Sequence, residues 1–253
     1  MSGAAAPLEI DLGGGTLLIT DLHLDLESPA SVERFLVFLA RVEPDCPALI
    51  VLGDLFDVWV GPAAMGAGAT PGVLAALRAR AQAGLAIWIV PGNRDFLLDA
   101  RFEAASGARL LPEGARARLP DGSRALLLHG DTLCTRDVGY QRLRRVLRSR
   151  AVRALAPLLP WSLARAIGRR LRRASVQALM RKPAEEKSIQ PDAVDAQLCA
   201  NGASLLICGH AHEFRDEERT SGRWIVAEAF GGPRDVIRFT PAGLAFESSG
   251  AQP

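Results

Sequence analysis

Short apolar runs recur along the chain at residues 17–19, 48–52, 87–90, 126–128 and 205–208. Each run is continuous rather than alternating, which is typical of strands buried on both faces. Between them, apolar residues recur at helical spacing. One helix is predicted to begin at Ser28-Pro29, and a second to begin at Thr70-Pro71 and end near Gly84. This alternation of strands and helices predicts an α/β fold.

Asp121-Gly122 predicts a hairpin turn before the fourth run, and residues 224–226 and 236–239 predict further, antiparallel strands. From residue 137 to 182 the period is helical only, with breaks at Pro157 and Pro160 and a new start at Trp161. The apolar residues of this segment are predicted to face inward: Tyr140, Leu143, Leu147, Ala151, Leu155, Leu163, Ile167 and Leu171. We therefore expect a core of residues 1–135 and 190–253 with an inserted helical cap of residues 136–189.

Composition adds an uneven distribution of charge. The 253 residues are 49% hydrophobic and 23% charged, which excludes collagen-like, coiled-coil and wholly disordered chains. The formal net charge is only +2, yet residues 140–182 contain 12 Arg, one Lys and no acid. Arginines can simply keep a helix soluble, but such a helix would normally intersperse acidic partners. We therefore expect the cap to meet an anion such as phosphate, a lipid headgroup or nucleic acid.

The cysteines and the apolar runs bear on the cellular compartment. Cys46, Cys134, Cys199 and Cys208 lie far apart, which favours reduced thiols over disulfides or a thiolate zinc site. Neither a basic leader nor an apolar run of about 20 residues is visible. The sequence therefore predicts a cytoplasmic protein that spans no membrane.

All four histidines follow apolar runs and have acidic or amide neighbours. They lie in the strings Thr20-Asp21-Leu22-His23, His129-Gly130-Asp131 and Gly209-His210-Ala211-His212. Asp54 and the string Asn93-Arg94-Asp95 follow two further runs. A single histidine is more often structural than a ligand, but four at strand ends beside carboxylates are not explained by chance. Because strand ends meet in a crevice in open α/β sheets, we expect one shared site.

The ligand types indicate the class of metal. Carboxylate, imidazole and amide ligands without thiolate suit Mn²⁺ or Fe²⁺, with Zn²⁺ less favoured. Seven such residues exceed the needs of one ion and suffice for two ions that share a carboxylate. Such a pair can deprotonate a bridging water and stabilise displacement at phosphorus.

The chain contains five short motifs in the order D-x-H, G-D, G-N-R-D, H-G-D and G-H-x-H. In this order they resemble the motifs of the calcineurin-like metallophosphoesterase superfamily, and the resemblance covers about residues 15–215. The longer strings at 53–61, 92–98 and 129–135 resemble the UDP-2,3-diacylglucosamine pyrophosphatase family of lipid A biosynthesis. This resemblance implies a β-sandwich flanked by helices with an inserted cap. It also implies two Mn²⁺ ions and a peripheral position on the cytoplasmic face of the bacterial inner membrane.

The resemblance also assigns site residues. One metal would be held by Asp21, His23, Asp54 and His212, and the other by Asp54, Asn93, His129 and His210, with Asp54 as the bridge. The catalytic residues would be Asp54, Asn93 and Arg94. Contacts to a UDP-diacylglucosamine-type lipid substrate would come from Asn93, Arg94, Asp137, Tyr140, Ser175, Lys182 and His210. Leu179 stands where the family has a polar residue.

Arg94 occupies a position where many members of the superfamily have histidine. Arginine cannot act as a general acid, since its pKa exceeds about 12. The leaving group must therefore depart without a proton, as a phosphate monoester does with its second pKa of about 6. Arg94 is accordingly predicted to hold the charge of a pyrophosphate, although a surface arginine at a helix start is the simpler alternative.

Two other functions remain open at this point. The chain could cleave a soluble nucleotide-linked pyrophosphate or phosphodiester, in which case activity would not depend on lipid. It could instead bind nucleic acid through the cap. The cap, however, contains only Trp161 and Tyr140 as aromatic residues, too few for base-stacking platforms, so no nucleic-acid partner is expected.

Overall fold

The computed structural model describes residues 8–112 and 114–250, which form two six-stranded sheets. The first sheet has the order β12-β11-β2-β3-β4-β5 and the second the order β1-β6-β7-β8-β10-β9. The strands are β1 (Leu8–Asp11), β2 (Leu17–Ile19), β3 (Ala48–Val51), β4 (Ala86–Ile89), β5 (Arg109–Leu110), β6 (Ala115–Arg118), β7 (Arg124–Leu128), β8 (Leu205–Cys208), β9 (Arg215–Arg219), β10 (Gly222–Val226), β11 (Val236–Thr240) and β12 (Gly243–Glu247).

Helices cover the outer faces of both sheets. The flanking helices are α1 (Pro29–Arg41), α2 (Thr70–Gln82), α3 (Ala100–Ser106) and α8 (Pro191–Asn201). Alternate residues of β3 face opposite ways: Ile50 packs between the sheets, whereas Leu49 and Val51 pack against the helices of the first sheet. Both faces of the central strands are therefore buried, which explains their continuous apolar runs. The predicted α/β sandwich is confirmed.

The sequence prediction of strands is confirmed for β2, β3, β4, β7, β8, β10 and β11, and one predicted pairing differs. β10 was expected as an antiparallel addition, but it lies parallel to β8 and antiparallel only to β9. Five strands, β1, β5, β6, β9 and β12, were not predicted. β9 reads Arg-Asp-Glu-Glu-Arg, and an edge strand composed entirely of charged residues gives no apolar signal.

The inserted segment contains α4 (Val138–Leu147), α5 (Arg150–Leu155), α6 (Trp161–Arg181) and α7 (Ala184–Lys187). The first arm breaks between α4 and α5, where the Ser149 side chain accepts a hydrogen bond from the Val152 amide at 3.3 Å. Trp161 begins α6, as predicted.

The predicted inward face of this segment is wrong for most of its apolar residues. Leu143, Leu155, Leu163, Ile167 and Leu171 are all exposed. α6 instead packs on the core through the small residues Ala164 and Gly168. A Cβ atom at Gly168 would lie 2.6 Å from methyl groups of both Val58 and Val60, so only glycine permits this approach. Ile167 and Leu171 each follow one of these two residues by three positions, so they flank the contact, where their side chains stay exposed.

Candidate metal centre

The proposed ligands are brought together at one edge of the two sheets. Asp21 and His23 follow β2, Asp54 follows β3, Asn93 follows β4, His129 follows β7, and His210 and His212 follow β8. The backbone has positive φ at Asp21, His23, Asp54, His210 and His212, with values of 46–70°. Among the described residues these five are the only non-glycine positions in the left-handed region. Such strain is uncommon and collects at functional sites.

Glycines make room for the ligand side chains. A Cβ atom at Gly92 would lie 2.1 Å from Asp54 Oδ1, and one at Gly209 would lie 2.4 Å from Asp21 Oδ2. Gly53 has φ of 89°, and a Cβ atom there would lie 2.3 Å from His129 Nδ1. These three positions therefore require glycine because backbone approaches ligand side chains within contact distance.

One ligand cluster consists of Asp21, His23 and His212, whose ligand atoms all lie within 4.8 Å of one another. His23 Nε2 and His212 Nε2 are 3.0 Å apart, and His212 Nε2 is 3.3 Å from Asp21 Oδ1. Asp21 Oδ2 accepts a hydrogen bond from the His210 amide at 2.7 Å, but the buried Oδ1 has no hydrogen-bond partner. A buried carboxylate oxygen without a partner is costly unless a cation is bound to it.

A second cluster consists of Asp21, Asp54 and His129, again within 4.8 Å of one another. His129 Nδ1 lies 2.8 Å from the Leu52 carbonyl, which can only accept, so the proton is on Nδ1 and Nε2 points into the cluster. Nε2 is 3.0 Å from Asn93 Oδ1 and 3.7 Å from Asp54 Oδ1. An imidazole nitrogen, an amide oxygen and a carboxylate oxygen thus converge.

Asp54 lies between the two clusters. Its Oδ1 faces His129, and its Oδ2 is 3.8 Å from His23 Nδ1. Asp21 belongs to both three-residue clusters, so its carboxylate lies beside that of Asp54 at the centre of the group. The His210 ring packs edge-on against His129 with centroids 5.1 Å apart. All seven predicted ligands are therefore at one place.

Burial and neighbouring charges set the protonation of this cluster. Burial lowers the pKa of His23 to about 3 and of His210 to about 4, with the charges of Arg94 and His129 acting in the same direction. Both rings are therefore neutral at pH 7 and have a lone pair for a metal. Burial also raises the pKa of Asp54 to about 7, because it disfavours the charged carboxylate. The donor set and the unpartnered Asp21 oxygen fit divalent cations.

Two buried aspartates that were not assigned a role from the sequence support this site. Asp95 accepts hydrogen bonds from the Gly92 amide at 2.7 Å and the Phe56 amide at 3.4 Å, joining the loops that carry Asn93 and Asp54. Asp131 accepts from Tyr140 Oη at 2.6 Å and Arg144 Nε at 2.8 Å. Asp131 thus ties α4 to the His129 loop. Its place in the H-G-D motif was the sequence signal for it.

The residues predicted to contact substrate line one cavity of about 860 Å³ beside the ligands. Asp137 caps α4 by accepting from the Tyr140 amide at 2.9 Å, and it also forms an ion pair with Lys182. Ser175 lies on the exposed surface of α6, facing the same cavity. The predicted substrate residues that line the cavity are Asn93, Arg94, Asp137, Tyr140, Ser175, Lys182 and His210.

Several arginines of the cap point toward the core. Besides Arg144, Arg148 donates to the carbonyls of Pro91 at 3.2 Å and Gly92 at 2.9 Å. On α6, Arg165 and Arg169 pair with Glu27, and Arg172 pairs with Asp57. The sequence indicated an arginine surface but not these partners, which come from loops more than 100 residues away for α6.

Comparison with known proteins places these features in a family. A family model described as calcineurin-like phosphoesterase matches residues 16–214. A UDP-2,3-diacylglucosamine hydrolase of Azotobacter vinelandii is 42% identical over 197 residues, covering 78% of this chain and 81% of the relative. The UDP-2,3-diacylglucosamine hydrolase of Nitrosococcus oceani is 36% identical over 242 residues, covering 92% of this chain and 94% of the relative. The UDP-2,3-diacylglucosamine hydrolase of Sodalis glossinidius is 40% identical over 202 residues, covering 78% of this chain and 82% of the relative.

Proposed function

Because the chain belongs to the calcineurin-like phosphoesterases and, within them, to the UDP-2,3-diacylglucosamine hydrolases, we propose that it hydrolyses the pyrophosphate bond of UDP-2,3-diacylglucosamine. Water adds to one phosphorus, the P–O–P bond breaks, and the products are UMP and 2,3-diacylglucosamine 1-phosphate. This is a step of lipid A biosynthesis.

The observation that carries the proposal is the cavity shared by the metal centre and the cap. Asp54, Asn93 and Arg94 lie at its inner end, where a pyrophosphate would react. Leu143 and Leu171 line it from the two arms of the cap, and Ile189 lines it where the end of the cap packs into the core. The cavity thus joins a phosphate-handling end to apolar walls. We propose that residues 136–189 act as a cap over an amphipathic substrate.

At the inner end, we propose that two divalent ions, Mn²⁺ in the family's pattern, are held by the two clusters. Asp21, His23, Asp54 and His212 would hold one, and Asp54, Asn93, His129 and His210 the other. Bound ions of this kind supply a hydroxide at neutral pH and neutralise charge on the phosphoryl oxygens. The chain itself fixes the ligands: the Leu52 carbonyl orients His129, and the Arg94 amide donates to Asp54 Oδ1 at 2.9 Å.

Arg94 favours a pyrophosphate over a phosphodiester as the substrate. Its side chain lies at the cavity, half-buried, with Nε 3.4 Å from Asp54 Oδ2. A guanidinium there attracts the diphosphate but has no proton to give to an alkoxide. A leaving phosphate needs none, because its own pKa is low. The active site therefore suits a substrate whose leaving group is itself a phosphate.

The proposal is tested by following UMP release from purified, Mn²⁺-supplied protein. UDP-2,3-diacylglucosamine in detergent micelles should be hydrolysed, and UDP-N-acetylglucosamine should be a poorer substrate by orders of magnitude. The reason is that each buried CH₂ group contributes about 0.8 kcal/mol. Equal rates on both compounds would favour the alternative of a soluble nucleotide-linked substrate, and no UMP from either would overturn the proposal.

We further propose that the cap rests on an anionic membrane surface at the cytoplasmic face of the inner membrane. Among the described helices, none has the length and apolarity to cross a bilayer. The end of the cap, however, exposes Leu155 and Leu158. Arg150 and Arg153 lie on α5 together with Leu155, and Arg142, Arg170 and Arg181 lie further along α4 and α6. None of these five arginines forms an ion pair within the described residues. Leucines with nearby unpaired cations are typical of interfacial binding.

This surface gives a prediction for vesicle binding. Replacing Arg150, Arg153 and Arg170 together by glutamine should weaken binding to phosphatidylglycerol vesicles on the order of a hundredfold, at about 1 kcal/mol per arginine. Turnover in micelles should change less than about twofold. The matched control replaces Arg41, Arg101 and Arg124, which are exposed outside the cap. Sedimentation with vesicles measures binding, and equal losses in both triple variants would show that only net charge matters.

A further inference from the structure

Asp57 is the point where two arginines from different parts of the fold meet. Its Oδ1 accepts from Arg94 Nη1 at 2.6 Å, and the same oxygen accepts from Arg172 Nη1 of α6. Arg94 comes from the loop after β4 and lines the catalytic cavity. Arg172 lines a separate cavity of about 480 Å³ on the other side of Asp57. The Arg94–Asp57–Arg172 bridge thus separates the two cavities.

The loop that carries Asp57 is firmly held. The Trp59 amide donates to the Arg94 carbonyl at 2.9 Å, and the buried Trp59 ring stacks on Phe56 with centroids 4.7 Å apart. On its other side the loop contacts α6, because Val58 and Val60 pack against Gly168. One short segment therefore touches both the catalytic arginine and the cap helix. The position of α6 on the core therefore bears directly on the surroundings of Asp57.

The Arg94–Asp57–Arg172 bridge contains more positive than negative charge. One carboxylate faces two guanidinium groups, so the three side chains carry a net charge of +1. If Arg172 were absent, Asp57 would be paired with Arg94 alone and would neutralise much of its charge. With Arg172 present, the carboxylate is shared and Arg94 keeps more of its positive potential toward the cavity. Asp57 and Arg94 are partly buried, so solvent screens their interaction less than that of an exposed pair, whereas Arg172 approaches Asp57 from the exposed side.

We propose that Asp57 is a positioning residue for the reaction proposed above, on which this inference rests: Asp57 aims the Arg94 guanidinium at the diphosphate, and Arg172, by sharing Asp57, maintains the charge of Arg94. The seating of α6 on the core then controls how strongly Arg94 acts on the substrate. Arg172 influences the reaction through Asp57 rather than by contact with the diphosphate.

The test is a kinetic double-mutant cycle on the full-length, Mn²⁺-supplied protein. Asp57→Asn should lower kcat by roughly tenfold or more with a smaller change in KM, because Arg94 stays charged but loses its orientation. Arg172→Gln should lower kcat/KM by about tenfold in the wild-type background and by less than about twofold in the Asp57→Asn background. Asp57→Glu should recover part of the lost kcat.

Arg169→Gln is the matched control, since it removes an arginine one turn earlier on α6 that pairs with Glu27 instead. It should keep kcat/KM within about twofold, while lowering the thermal midpoint about as much as Arg172→Gln does. The inference is overturned if the Asp57 and Arg172 effects multiply, or if Arg169→Gln costs as much kcat as Arg172→Gln. Should Asp57→Asn fail to fold, the comparison of Arg172→Gln with Arg169→Gln decides alone. Lack of turnover by the wild-type protein would instead refute the proposed function.

Discussion

Asp54→Asn should reduce hydrolysis of UDP-2,3-diacylglucosamine by about a thousandfold or more, the largest loss we expect from any single exchange. The asparagine keeps the size of the side chain but has one oxygen instead of two and no charge. Asp54 directs one oxygen toward His129 and the other toward His23, so the change affects both clusters at once. A thousandfold loss of rate corresponds to an increase of about 4 kcal/mol in the activation free energy, as expected when charge stabilisation at a phosphoryl centre is lost.

Metal content and stability distinguish this effect from misfolding. Elemental analysis should show less than the wild-type amount of Mn²⁺ in Asp54→Asn, while the free energy of unfolding should not fall, since a buried carboxylate with a raised pKa is replaced by a neutral group. Asp192→Asn, an exposed exchange of the same kind on α8, serves as the control. Full activity together with full metal content in Asp54→Asn would exclude Asp54 as a ligand.

Gly92→Ala should be nearly as damaging, although it adds a single methyl group. The new Cβ atom would lie 2.1 Å from Asp54 Oδ1 and 2.5 Å from the Asp54 amide nitrogen, which real contacts do not permit. Either Asp54 or the loop carrying Asn93 must move. We expect turnover to fall by about a hundredfold or more and the free energy of unfolding to drop by about 1–3 kcal/mol.

Gly72→Ala is the matched control for this prediction. It introduces the same methyl group within α2, where a Cβ atom would meet nothing within 4 Å. Helix propensity should make it neutral or stabilising by up to about 1 kcal/mol, with unchanged activity. Urea unfolding and UMP release measure the two quantities, and an active Gly92→Ala would show that Asp54 tolerates displacement.

The sequence predicted which residues converge at this edge of the sheets because their signal is local. Each lies within a few residues of a buried strand, and parallel strands such as β2, β3 and β4 carry the residues that follow them to the same edge. The sequence could not predict which carboxylates would be central, since Asp21 and Asp54 both follow strands and differ only in how their turns fold. Their positive φ values are a property of the assembled site.

The orientation of the cap was not predictable from its sequence. Helical periodicity placed the apolar side chains inward, as in an ordinary amphipathic helix. The contact with the core instead uses Gly168 and Ala164, and Arg144, Arg148, Arg169 and Arg172, which the sequence presents as a solvent face, meet partners in distant loops. Charge pairing over such sequence separations leaves no periodic signal. The positive charge of the cap was therefore predictable, but the fact that several of its arginines face the core was not.

The five non-glycine residues with positive φ create a conflict between thermal stability and catalysis. Glycine adopts positive φ without a steric penalty, so exchanges to glycine at positions 21, 23, 54, 210 and 212 relieve backbone strain. They also remove imidazole or carboxylate ligands. A laboratory selection for thermal resistance alone would therefore drift toward these exchanges and yield robust but inactive enzymes. Engineering a hardier variant has to keep these five positions fixed and seek its gains elsewhere in the sandwich.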